Sequence, residues 1–164
     1  MQNAKDTFYT TLRDRIAAVN PARTVVVRGV TRPALLVEEN ELASDVVPVD
    51  TFRLRWVGLK VDAIGALPLV TMSCEVHYAT DGNSGNGGMD RGRLLAAMGA
   101  ELAAAVSQAP QNVAKMNYAA VPPVALATNV FWGDVTFGAM TATGERLERM
   151  AAIEVFCCQE AGEL

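Results

Sequence analysis

The sequence predicts an α+β domain, a mostly antiparallel sheet with two helices packed on one face. From Leu67 to Ala79 the chain alternates Val70, Met72, Cys74, Val76 and Tyr78 against Leu69, Thr71, Ser73, Glu75 and His77. Alternation of this length marks a strand with one dry and one wet face, a condition met mainly by antiparallel sheets. Around Phe8 and around Met98 the apolar residues instead recur at helical spacing. Strands outnumber helices and occur in runs, which favours a layered fold over alternating βαβ units.

Taken in order, Phe8, Leu12, Ile16 and Val19 form the stripe of a first helix, which Asn20-Pro21 stops. Thr24 to Arg28 is a β-branched burst broken by Gly29. Pro33 to Glu38 is a second short apolar run, an edge strand because it opens with proline. The acidic stretch Glu39 to Asp50 reads as a mobile loop or arm. Thr51 to Lys60 sets Phe52, Leu54 and Trp56 against Arg53 and Arg55, a second half-wet strand whose wet face is cationic. The segment 81–88, DGNSGNGG, reads as a flexible connection. Asp90 is then the expected N-cap of a second helix with Leu95, Met98, Leu102 and Val106 on its apolar stripe. Ala96, Ala97, Ala100, Ala103, Ala104 and Ala105 fill the rest and permit close approach of another helix or subunit. The uncharged run from Met116 to Gly133 contains Asn117, Pro122, Pro123 and Asn129, so it reads as a loop feeding a strand and not as a membrane span. Asn129 to Met140 and Arg146 to Cys158 are the last two strands, joined as a hairpin by a turn at Thr143-Gly144.

At 164 residues the chain is one domain, 1–164, large enough to bury roughly 70% of the surface its unfolded form exposes. Apolar residues make up 51% but aromatics only 6%, so the apolar mass is Ala, Val, Leu and Met, and part of it is expected between subunits. The net charge of −4 opposes counterion release, and specific nucleic-acid binding is not expected. Charge is uneven along the chain: residues 1–60 sum to +2 and residues 61–164 to −6. That asymmetry favours head-to-tail association, one subunit's basic side meeting the next one's acidic side. Cys74, Cys157 and Cys158 have no CxxC spacing and read as buried reduced thiols. Asp6, Arg13 and Asp14 interrupt the first twenty residues, which leaves no signal-peptide core and points to the cytoplasm.

No arrangement of residues suggests a reaction. The glycine-rich segment lacks the Gly-Lys-Ser or Gly-Lys-Thr ending of a phosphate loop and places Asp90 where a dinucleotide loop needs its third glycine. Ser73 and His77 share a strand face, but four residues of strand hold them about 13 Å apart, beyond hydrogen-bond reach. Cys74 and His77 point to opposite faces. The chain is therefore expected not to be an enzyme and to need no cofactor or metal. The charged groups of the wet face, Arg53 and Arg55 with Glu75, Glu148 and Glu154, suit cross-strand pairing worth roughly 0.2–1 kcal/mol per pair. Arg53, Arg55, Glu75 and His77 on that face, with Asp81, Asn83, Asn86, Arg91 and Arg93 around the glycine-rich loop, are the candidate interface residues.

The order of these pieces is familiar. The opening helix with Phe8, Leu12 and Ile16 is followed by Val27-Arg28-Gly29 and the strand Phe52-Arg53-Leu54-Arg55-Trp56. Val76-His77-Tyr78, the glycine-rich loop and Asp90-Arg91-Gly92-Arg93-Leu94-Leu95 come next. Over most of its length the chain resembles the small tail-terminator, or tail-completion, proteins of tailed bacteriophages and prophages, a likeness of layout and not of a diagnostic motif. The resemblance implies a homo-oligomeric ring, usually hexameric, that caps the tail tube and joins it to head-completion proteins. It implies a cytoplasmic protein during assembly and a virion or tail-like particle afterwards, with loops 39–50 and 81–89 reaching a neighbour or the tube. The alternative is a small ligand-binding or enzymatic domain using loop 81–88 with Asp90, Arg91 and Arg93.

Overall fold

The computed structural model describes residues 1–41, 49–87 and 89–160. Its helices are α1 (Gln2–Val19), α2 (Glu38–Glu41) and α3 (Arg91–Ser107). Its strands are β1 (Thr24–Val27), β2 (Val30–Pro33), β3 (Leu35–Val37), β4 (Phe52–Asp62), β5 (Leu69–Thr80), β6 (Asn112–Asn117), β7 (Val124–Trp132), β8 (Thr136–Thr143) and β9 (Arg146–Cys158). The α+β class read from the sequence is the class observed. In the main sheet the order is β3-β4-β5-β9-β7-β6, and β8 pairs with β9 on the same side as β7. All these pairings are antiparallel except β3 with β4.

Strand β5 is the centre, bonded along its length to β4 and β9. Its helix-facing residues Val70, Met72, Val76 and Tyr78 are fully buried, as alternation with one dry face requires. Helix α1 buries Phe8, Leu12 and Ile16 and α3 buries Leu95, Met98, Leu102 and Val106 against that face. Phe8 stands edge-on to both Trp56 and Trp132, with ring centres 5.9 and 5.5 Å apart. The Trp132 indole N–H donates to the carbonyl of Val106 at 2.9 Å, tying α3 to the sheet. Gly99 lets the helix come close, since a Cβ there would stand 3.1 Å from the Tyr78 hydroxyl.

Several expectations change. Val19 lies off the buried stripe and is exposed, because α1 ends there and Asn20 turns to donate its side-chain amide to Glu101 at 2.9 Å. The β-branched burst forms its own two-stranded sheet, β1 with β2, around Arg28-Gly29, whose φ values of 49° and 81° are those of a tight hairpin turn. Pro33 closes β2, and the edge strand is the following Leu35–Val37. The supposed loop from Met116 onward holds the end of β6 and the start of β7, a hairpin in its own right. Asn129 to Met140 is two strands and not one, because Gly133–Val135 breaks the run. The β8–β9 hairpin turns where expected, with Gly144 at φ +60°. Of the segment 39–50, the first residues finish α2 and Val49 bridges Ala79, while 42–48 lie outside the described residues.

Candidate functional site

The wet face is built by β4, β5 and β9. Arg53 stands opposite His77 and Arg55 opposite Glu75 on adjacent strands. The open cationic face expected from the sequence is altered by α2, which places Glu38 over it. Arg53, only 6% exposed, pairs with that carboxylate at 3.0 Å, and Arg55 lies 3.6 Å from it. Glu75 and His77, two residues apart on one strand face, hydrogen-bond to each other at 2.9 Å. Ser73 donates its hydroxyl to Glu154 on β9 at 2.9 Å and not to the imidazole. Ser73 with Glu154 is thus a cross-strand contact of this face, and the two arginines converge on Glu38.

The glycine-rich loop is organised by Asp90. It stands at the N-cap position of α3, as the sequence predicts, but its carboxylate makes no capping bond to the helix. Oδ1 accepts the Asn83 backbone N–H at 3.1 Å, and Oδ2 accepts the side-chain amides of Asn83 and Asn86 at 2.7 and 3.2 Å. The Asn86 and Asn83 bonds hold the Asp90 carboxyl below its ordinary range against a smaller opposing effect of burial. An anion approaching this loop would meet a carboxylate already using its donors. Asp81 accepts from Arg146 at 3.0 Å, and Arg91 bonds the Glu145 carbonyl and lies 3.6 Å from its carboxylate. Loop and helix start are thereby fastened to the β8–β9 turn, while Arg93 is exposed. The nine candidate residues thus fall into two groups: Arg53, Arg55, Glu75 and His77 on the wet face of β4 and β5, and Asp81, Asn83, Asn86, Arg91 and Arg93 in the glycine-rich loop and the start of α3.

A third polar cluster, unforeseen from the sequence, joins α1 to the end of α2. Arg32 pairs with Glu41, whose carboxylate also accepts the Tyr9 hydroxyl and the Val37 backbone N–H. Burial, then the Glu41 charge, pushes the Tyr9 phenol up to about 12, so it stays a donor. A hollow of about 400 Å³ beside it is lined by Val27, Arg28, Val30, Arg32 and Glu41. Among the described residues, no group of three or more His, Cys, Asp or Glu side chains is placed to hold a metal ion.

The largest departure from a self-contained domain is apolar. Past Trp56, β4 leaves the cover of β3, which pairs only with Phe52–Leu54. Val57, Leu59 and Val61 are then about half exposed, and Ile64 in the β4–β5 turn is 94% exposed. Leu67 and Leu69 are 45% exposed at the same end, Leu69 on the opposite, wet face from Leu59 and Val61. At the same end of the sheet the β6–β7 hairpin projects beyond the end of β9 and exposes Val121 and Val124. The sequence carried a signal for this: the turn Ala63-Ile64-Gly65-Ala66-Leu67 is apolar where hairpin turns are ordinarily polar. No helix among the described residues is long and apolar enough to cross a membrane. Compared with known proteins, the chain matches no family model and no curated sequence.

Proposed function

We propose that this is a structural assembly protein, a domain that works by presenting surfaces to other protein chains. More particularly, it acts as a ring-forming component of the tail-terminator kind, capping a tail tube and meeting head-completion proteins. The observation that carries this reading is the number of exposed apolar side chains on the two projecting hairpins. Val57, Leu59, Val61, Ile64, Leu67 and Leu69 lie on one hairpin and Val121 and Val124 on the other, a concentration that marks contact surfaces in soluble proteins. The engaged polar groups support it further: His77, Ser73 and Asp90 each hold a neighbouring side chain in a geometry that orders surface and loop. Head-to-tail contacts that close by rotation would use the charge asymmetry of the chain. Light scattering on the eluting protein tests the reading. A mass that rises with concentration to a fixed multiple of 17.5 kDa is expected, and a single-chain mass at every concentration would overturn it.

A further inference from the structure

We propose that copies of this chain join edge to edge, the outer edge of β8 pairing antiparallel with residues 55–62 of β4 in the next copy. The inference rests on the ring-forming reading and supplies its contact. Among the described residues, these two edges have no strand partner. Strand β4 is flanked by β3 only over Phe52–Leu54, and β8 bonds only to β9. They lie on opposite sides of one sheet, and each is eight residues long. Unpaired edges of this length expose rows of N–H and C=O groups that favour addition of a strand.

The two edges also match in chemistry. Leu59 and Val61 stand opposite Met72 and Val70, and Phe137 stands opposite Ala151, all buried on the helix side. Met140, opposite Arg149, shares that side. These four edge residues are 37–53% exposed in the single chain. A sheet continued from one copy to the next sets them side by side on one face, the arrangement in which cross-strand apolar pairs stabilise. Aligning the strand ends brings Glu145, whose side chain is 87% exposed although 3.6 Å from Arg91, toward the neighbour's Arg55. That side chain is 54% exposed although 3.6 Å from Glu38, so two accessible opposite charges approach each other.

Direction and offset agree with closure. Strand β4 runs parallel to β9 and β8 antiparallel to it, so copies related by rotation present β8 antiparallel to β4, the stronger ladder. The middle of the β4 edge is level with Glu154 and Val155 of β9, and the middle of β8 with Arg149 to Ala151. The offset of about five residues is ~17 Å, against ~19 Å for four strand spacings, giving a tilt of about 40°, within the range of closed barrels. The wet-face residue Glu154 directs its carbonyl to Gly133 on the β7 side, which fixes the handedness. Seen from the helices with β9 upward, β8 is at the left and β4 at the right, and the tilt leans right. That is a right-handed coil with the helices outside and the wet face lining the ring.

Hydrogen exchange of the full chain tests this. Phe52, on the helix side of β4, directs its N–H outward to Ala34. Past the bulge the helix-side residues are Leu59 and Val61, which direct theirs outward likewise. So do the helix-side Met140 and Ala142 on β8, which runs the opposite way at the opposite edge. At concentrations where the mass has risen, exchange at these four amides is expected to slow by about tenfold or more relative to the dilute chain. Ala142→Pro removes an outward N–H and no bond to β9, so the large species is expected to vanish with the circular dichroism unchanged. A ring whose four amides exchange as in the dilute chain overturns the edge pairing and leaves the ring-forming reading standing. A single-chain mass at all concentrations overturns both. Should the proline variant fail to fold, exchange on the unaltered chain decides.

Discussion

The two halves of β4 have the same kind of sequence and opposite surroundings. Phe52 and Leu54 are fully buried between β3 and β5 under the helices. Leu59 and Val61 face the same side of the sheet and are 53% and 48% exposed, because β3 has ended and a bulge at Val57 has shifted the register. Alternation specifies which face a residue takes; coverage of that face is decided by elements elsewhere in the chain, or by another chain. The first half of β4 contributes to folding and the second to association.

The largest expected effect comes from breaking the covered half. Phe52→Ala removes a fully buried ring that lies 5.5 Å from Tyr78 and is expected to cost about 3–5 kcal/mol, read from the urea midpoint.

An intermediate effect comes from acid. Burial works to raise the Glu101 carboxyl, but bonds from Arg23 at 2.6 Å and Asn20 at 2.9 Å outweigh it and hold it below its ordinary 4.5. The bonds to Arg32, Val37 and Tyr9 likewise outweigh burial at Glu41. A group depressed in the folded state contributes stability that is fully present above its unfolded pKa and lost as pH falls through the folded one. Urea midpoints are therefore expected to be level near neutrality and to decline from about 4.5 downward, with Glu101→Gln flattening part of the slope. A decline confined to pH above 6 would contradict this assignment.

The smallest effect is local. Asp90→Asn weakens the bonds that gather Asn83 and Asn86, so the Asn83 amide should exchange faster while the urea midpoint moves little. Unchanged exchange there would show that the loop is held by other contacts.

Much of the architecture was legible because it rests on short-range patterns. The alternation about Cys74, the helical stripes of Phe8, Leu12 and Ile16 and of Leu95 to Val106, and the turn at Gly144 all appear where the residues place them. What was hidden depended on distant partners. Strand β6 contains Lys115, whose ammonium is wholly buried and donates to the Cys158 carbonyl at 2.7 Å, a contact 43 residues away that its local sequence does not announce. Asp90 takes the N-cap position its sequence predicts because caps are local, yet its carboxylate turns to Asn83 and Asn86 of the preceding loop and not to the helix. Arg53 looked like an open cation because the sequence does not show that Glu38 will fold over it.

The division of β4 is tested most directly by a double variant, Leu59→Ser with Val61→Ser, followed by light scattering and urea unfolding of the dilute chain. The account expects a midpoint within about 0.5 kcal/mol of the unaltered protein, as for surface positions, together with loss of the larger species. A substantially lowered midpoint with association intact would place these residues in the folding core and contradict the account.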